Sequence, residues 1–159
     1  MIFPKWVAFN DLENWRTVHS PSGPWVVTNG CFDLLHLGHV RYLQRARSLG
    51  NSLLVGINDD AGVRLLKGES RPLNKAEDRA EVLAALACVD AVCIFPGTKA
   101  SAFLQAARPD VYAKGGDYTL ETLDPEERLI LQTAGARIEL LDLVAGRSTS
   151  ALVNRMKTS

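Results

Sequence analysis

Asn29-Gly30-Cys31-Phe32-Asp33-Leu34-Leu35-His36-Leu37-Gly38-His39-Val40 is the stretch around which the chain is organised. A run of β-formers, Trp25-Val26-Val27-Thr28, comes just before it, and Asn29-Gly30 is turn chemistry that closes the strand. Val40, Leu43, Ala46 and Leu49 follow at spacings that suit one face of a helix ending near Gly50. His36 and His39 therefore fall where a strand has turned into a helix. The first turn of backbone N–H groups there lacks intrahelical partners, and the helix dipole favours negative charge. Gly38 removes a side chain between the two imidazoles, so a bulky anion can approach the backbone. Two histidines, free amides and a glycine gap suit the phosphates of a nucleotide.

The 159 residues predict one domain (residues 1–24 an extension with a short helix), able to bury roughly two-thirds of its unfolded surface. Eighteen basic and eighteen acidic residues cancel, which argues against a nucleic-acid or membrane-surface protein, whose footprint is a clustered basic excess. No apolar run approaches the ~20 residues of a spanning helix. Met1-Ile2-Phe3-Pro4-Lys5-Trp6 lacks the charged start and long apolar core of a signal peptide. Cys31, Cys88 and Cys93 are odd in number and fit a reducing compartment, so a cytoplasmic protein is expected.

Asn10-Asp11-Leu12-Glu13 reads as a helix start with Asn10 as cap, the helix ending around His19 before Pro21-Ser22-Gly23-Pro24. Strands are predicted at Trp25–Thr28, Ser52–Ile57, Ala91–Phe95, Val111–Lys114 and Arg137–Leu141. Between them, Asn58-Asp59-Asp60 ends the second strand and caps a short helix through Leu66, Lys67–Pro72 is a loop, and helices follow at Lys75–Ala87 and Lys99–Ala107. Asp124-Pro125-Glu126-Glu127 opens another helix, with proline and acids in its first turn, and Ser148 caps the last. Alternating strands and helices predict an α/β fold, a Rossmann-like open five-stranded parallel sheet with helices on both faces. Ligands bind such sheets at the carboxyl ends of the strands, where the strand order reverses.

His36-Leu37-Gly38-His39 after a strand resembles the H-x-G-H signature of the nucleotidyltransferase (cytidylyltransferase-like) superfamily. Arg71-Pro72-Leu73-Asn74, Lys114-Gly115-Gly116-Asp117-Tyr118 and Gly146-Arg147-Ser148-Thr149-Ser150 follow in an order that resembles its sugar-phosphate branch, the D-glycero-β-D-manno-heptose 1-phosphate adenylyltransferases. The resemblance runs from about Trp25 to Met156. It implies transfer of AMP from ATP to the sugar 1-phosphate, giving ADP-heptose and pyrophosphate for lipopolysaccharide or another surface glycan. In bifunctional relatives a sugar kinase precedes this domain, and the residues before Trp25 are too few to hold one, so a separately encoded kinase is expected. The resemblance also implies a homo-oligomer, a dimer, and Mg²⁺ arriving with ATP, held by phosphates and water.

By the same resemblance His36, His39 and Lys67 are the catalytic candidates. Asn29, Gly30, Cys31, Phe32, Gly38, Arg71, Lys114, Gly115, Asp117, Arg147, Ser148 and Thr149 are the nucleotide-binding candidates. The histidines would donate to α/β-phosphate oxygens, and a cation at Lys67 or Arg71 would meet the triphosphate and departing pyrophosphate. Paired glycines after Lys114 let a ligand approach the backbone, and Asp117 can accept from ribose or base. Arg147 adds a fork of donors at the last helix N-terminus.

Plainer readings stand beside these: a helix-cap histidine, solvated loop cations, a Gly-Gly-Asp turn, an ordinary serine cap, and Asn74 as a cap of the helix after it. Asp33 is open between orienting a histidine, positioning a ligand, approaching Mg²⁺ and serving a turn, and Cys31 reads as packing. A zinc site from Cys31, His36 and His39 lacks a fourth ligand at recognisable spacing, and no metal ligand is assigned. Glycerol-3-phosphate cytidylyltransferases share the histidine motif, but their last motif, Arg-Thr-Glu-Gly-Ile-Ser-Thr-Thr, differs from Leu143-Val144-Ala145-Gly146-Arg147-Ser148-Thr149-Ser150, which favours ATP over CTP. Thr119–Ala134 matches no assigned pattern, and if it lines the acceptor pocket the sugar differs. A nucleotide-binding module without turnover and a redox module on Cys31 are the rivals from other classes.

Overall fold

The computed structural model describes residues 5–19 and 22–158; the readings of Met1–Pro4 and of Pro21 lie outside them. The strands are β1 (Trp6–Val7), β2 (Trp25–Gly30), β3 (Ser52–Asn58), β4 (Ala91–Phe95), β5 (Val111–Gly115) and β6 (Arg137–Leu141). The helices are α1 (Leu12–Val18), α2 (Leu37–Arg47), α3 (Asp60–Lys67), α4 (Ala76–Ala84), α5 (Ser101–Ala107), α6 (Pro125–Thr133) and α7 (Thr149–Lys157). The six strands form one sheet in the order β1-β4-β3-β2-β5-β6, with parallel pairing throughout.

Side chains alternate across this sheet because successive strand residues point to opposite faces. Val26, Leu53, Val55, Ile57, Val92, Val111 and Ala113 pack beneath α2 and α4, against Leu43, Ala46 and Leu83. Trp25, Val27, Leu54, Ala91, Cys93 and Tyr112 face the other way, against Leu12, Phe103, Leu104 and Leu131 of α1, α5 and α6. Burial on both faces explains why β2 and β3 read as unbroken apolar runs.

The sheet has one strand more than the five expected. Trp6 and Val7 pair with Val92 and Cys93, and Val7 is buried. Two residues are too few to show a period, so this edge strand leaves no pattern in the sequence. Asn29-Gly30 is not a turn either: both residues extend β2, paired with Gly56 and Ile57. Asn10 falls in a 3₁₀ turn, Phe9–Asp11, ahead of α1 and caps nothing. Asp59, Asp124 and Ser148 do cap α3, α6 and α7 through their side chains.

Candidate active site

The chain builds outward from β2 through β3 to β4, then returns to place β5 on the other side of β2. The strand order thus reverses between β2 and β5, and their carboxyl ends open onto a cleft of about 700 Å³. That volume suits a small-molecule site. Asn29, His39, Lys67, Arg71, Lys114 and Thr149 are among its walls. Tyr42 stitches the reversal point together. Its hydroxyl lies 2.6 Å from Thr28 Oγ1 and donates to the Ala113 carbonyl at 3.0 Å, joining α2 to both strands.

His36 is the N-cap of α2, and its Nδ1 accepts the Gly38 N–H at 3.1 Å. An accepting Nδ1 carries no proton, so the neutral ring keeps its proton on Nε2 as a donor. Capping and phosphate donation are therefore compatible in one imidazole. His39 stacks on His36 with ring centroids 3.9 Å apart, and Phe32 leans on its other side at 5.1 Å. Gly38 is required by this arrangement, since a Cβ there would fall 2.8 Å from the His36 ring. The glycine gap is thus occupied by a histidine as well as opening the backbone.

Burial lowers the His39 pKa from 6.5 to about 4, with His36 acting in the same direction; the Leu34 carbonyl opposes them. Its Nδ1 is buried. His36 is lowered too, by burial and by the Arg147 guanidinium. Between pH 6.5 and about 4 the unfolded chain therefore binds a proton that folded His39 refuses. Its contribution to stability is complete above the unfolded pKa and is lost as pH falls toward the folded one. The urea midpoint of the wild type should fall more steeply than that of His39→Gln between about pH 7 and about pH 4.5. Parallel slopes would contradict the shift.

Asp33 lines the cleft with its carboxylate engaged by protein groups. It is buried, accepts the Leu73 N–H and Asn74 N–H at 2.9 Å, and lies 2.9 Å from Arg71 Nε. Asn74 Nδ2 donates to the Asp33 carbonyl at 2.7 Å and leaves α4 uncapped by a side chain. Asp33 thus folds the 71–74 loop onto the strand-to-helix turn and presents Arg71 to the cleft. Lys67, expected on a loop, is the last residue of α3 and lines the cleft from there. Cys31 lines the cleft as well, with Sγ 3.8 Å from Asn58 Oδ1. Burial raises its thiol pKa, which keeps it protonated and suits packing rather than nucleophilic attack.

Across the cleft, Lys114 Nζ sits 4.8 Å over the Tyr118 ring, and burial lowers its pKa. Gly115 lines the cleft, but a Cβ there would come within 2.8 Å of the Tyr42 ring. That glycine serves protein packing as much as any ligand. Asp117 is exposed and is not among the cleft walls; it follows Gly116, whose φ is +112°. The start of α7 closes the remaining side. Thr149 lines the cleft and donates to the Leu34 carbonyl at 3.4 Å, while Ser148 Oγ is committed to the Ala151 N–H at 3.1 Å. Arg147 stands close enough to act on His36. His36, Gly38, Arg147 and Ser148 flank the cleft without lining it.

Sequence reasoning missed two features. Arg79 is fully buried and donates to the Asn74 carbonyl, the Cys31 carbonyl and Asp60 Oδ1 at 3.0, 2.7 and 2.8 Å. Its signal was present: it shares a helical face with Ala76, Ala80 and Leu83. The other is the far wall, where Thr98, Lys99, Thr122, Asp124 and Glu127 come together from two separate connections.

A model of cytidylyltransferase-like domains matches residues 27–151. Among curated proteins, the chain is 50% identical over 131 residues to the bifunctional protein HldE of Syntrophotalea carbinolica, covering 82% of this chain and 26% of that protein. It is 48% identical over 141 residues to the HldE of Citrifermentans bemidjiense, covering 89% of this chain and 28% of that protein. The chain therefore spans about a quarter of the length of these relatives. Among solved structures, a lipopolysaccharide core biosynthesis protein from Thermoplasma volcanium superposes with a TM-score of 0.63 at 21% identity, covering 77% of this chain and 98% of the other. Pantoate-β-alanine ligase from Francisella tularensis gives 0.60 at 13% identity, covering 92% and 69%. At those identities the likeness concerns the fold.

Proposed function

Because the chain belongs to the cytidylyltransferase-like family, we propose that it transfers AMP from ATP to D-glycero-β-D-manno-heptose 1-phosphate, releasing pyrophosphate and ADP-heptose. The observation that carries the reading is the meeting of two helix N-termini, α2 with His36 and His39 and α7 with Arg147 and Thr149, at the point where the strand order reverses. Backbone amides and cationic or N–H donors converge there as a triphosphate requires. The sugar and the preference for ATP rest on the motif likeness of Lys114–Tyr118 and Gly146–Ser150.

In this reading a phosphate oxygen of the acceptor attacks the α-phosphorus in line, and the bond to the β-phosphate oxygen breaks. No covalent enzyme intermediate is needed, so the protein acts by positioning and by stabilising charge on the phosphoryl oxygens. His36 and His39 donate N–H groups to those oxygens. Lys67 and Arg71 receive the departing pyrophosphate. Arg147, the α7 amides and Thr149 hold the nucleotide, with Asn29, Gly30, Phe32 and Lys114 shaping its bed. Among the described residues no three His, Cys, Asp or Glu side chains gather as metal ligands, and Asp33 is already saturated. That donor set fits Mg²⁺ carried on the nucleotide's own phosphates, where it would neutralise their charge. The three free cysteines fit a cytoplasmic setting, and no described helix is long and apolar enough to cross a membrane. We place the whole chain in one catalytic domain that works as a dimer.

Pyrophosphate release tests this directly, with ATP or CTP across a panel of sugar and polyol phosphates and Mg²⁺. Release with ATP and heptose 1-phosphate is expected. Preference for CTP and glycerol 3-phosphate would overturn the substrate assignment, and silence with every pair would overturn the activity.

A further inference from the structure

The segment Thr119–Ala134 matched no assigned pattern, yet its Thr122, Leu123, Asp124 and Glu127 line the cleft beside Tyr118. Thr98 and Lys99, from the β4–α5 connection, stand with them. Glu127 is 7% exposed. One carboxylate oxygen, Oε1, accepts the Ala100 N–H at 2.9 Å, and no other hydrogen bond holds the group among the described residues. Its other oxygen is not among the buried unpartnered polar atoms, so it keeps contact with the cleft, where a ligand's hydroxyl donors can take the place of water.

The charge distribution says which part of a substrate belongs here. Cations and helix amides gather around His36, His39, Lys67 and Arg71, where a triphosphate is attracted. Asp124 and Glu127 at the opposite end repel one. Lys99 does not reverse that sign, because its Nζ is paired with Asp124 at 3.2 Å and Glu126 at 3.5 Å. Lys114 lies between the two ends. Glu127 acts on it electrostatically, yet the two form no ion pair among the described residues. An acceptor whose phosphate reaches the α-phosphorus beside His39 must extend its remaining groups along the cleft. Carboxylates and threonine hydroxyls suit neutral hydroxyl donors.

We propose that this end of the cleft, between the β4–α5 and β5–α6 connections, is the subsite for the polyhydroxylated part of the acceptor, with Glu127 reading its hydroxyl groups. The proposal rests on the nucleotidyl-transfer reading above and adds the residues that choose the acceptor. Glu127 is a specificity residue, and the reacting atoms lie with His36 and His39.

The test is steady-state pyrophosphate release by the whole chain with ATP, heptose 1-phosphate and a 1-phosphate lacking one hydroxyl group. Glu127→Gln keeps an oxygen for Ala100 and removes the charge. It should raise KM for heptose 1-phosphate ~10–100-fold, leave KM for ATP within about twofold, and narrow the preference over the deoxy analogue. Thr98→Val, at an exposed position whose side chain makes no hydrogen bond among the described residues, should move acceptor KM the same way by a few-fold, and it carries the test if Glu127→Gln fails to fold. Unchanged acceptor KM and selectivity with turnover intact would overturn the subsite alone. A rise confined to KM for ATP would also overturn it, placing nucleotide there instead. No release by the wild type with any acceptor would overturn the nucleotidyl-transfer reading, and the subsite with it.

Discussion

Replacing His39 by alanine should lower kcat ~10²–10³-fold while KM for ATP changes only a few-fold. His39 lies in the first turn of α2, its ring stacked between His36 and Phe32 and its pKa lowered to about 4. It is therefore neutral in the resting site near neutral pH, and in the proposed role it offers an N–H to developing phosphoryl charge. The proposed reading gives ATP several other anchors in the α7 N-terminus, Arg147, Lys67 and Arg71, so binding should survive the loss. The transition state has fewer substitutes for a donor fixed at the α-phosphate. Single-turnover rates with saturating ATP would separate the chemical step from product release. A mutant with wild-type kcat would end the proposed role. A fall in kcat that followed a fall in melting temperature would assign His39 to packing.

The largest stability effect should come from Arg79→Met. Methionine fills similar space, but it abandons the Cys31 and Asn74 carbonyls and the Asp60 carboxylate, which one buried guanidinium now satisfies. Removing one partner of such a cluster costs ~3–5 kcal/mol, because the groups left behind stay desolvated. For a chain of this size that is a fall in Tm of ~10 °C. Arg79→Lys should recover only part of it, since an ammonium cannot reproduce three bonds with fork geometry. The three acceptors belong to the turn before α2, the loop carrying Arg71 and the start of α3 carrying Lys67. Loss of Arg79 should therefore disturb phosphate contacts from three directions and raise KM for ATP in whatever fraction remains folded. A Tm within about 2 °C of wild type would show that the cluster is dispensable.

Local rules carried much of the fold. Asp59, Asp124 and Ser148 were legible as caps because capping involves only residues two or three apart. Strands β2 to β5 were legible because burial on both sheet faces favours apolar runs. The His36–His39 segment was legible because the strand-to-helix turn and its glycine lie within four residues. Where two local rules competed, the tertiary partner chose. Asn29-Gly30 could close a strand or continue one, and pairing with Gly56 and Ile57 continued it. Asn74 could cap α4, but the Asp33 carbonyl took its side chain.

By itself, then, the sequence determined the α/β alternation, the caps at Asp59, Asp124 and Ser148 and the strand-to-helix turn at His36, since each depends on neighbours along the chain. Only the tertiary structure decided that Asp33 holds Arg71 and the 71–74 loop, and that Arg79 ties together the turn before α2, that loop and the start of α3. It also brought Glu127 to the wall opposite the histidines. These outcomes depend on partners far apart along the chain, such as Ala100 with Glu127 and Cys31 with Arg79. No local periodicity encodes such pairings; the order of strands in the sheet sets them.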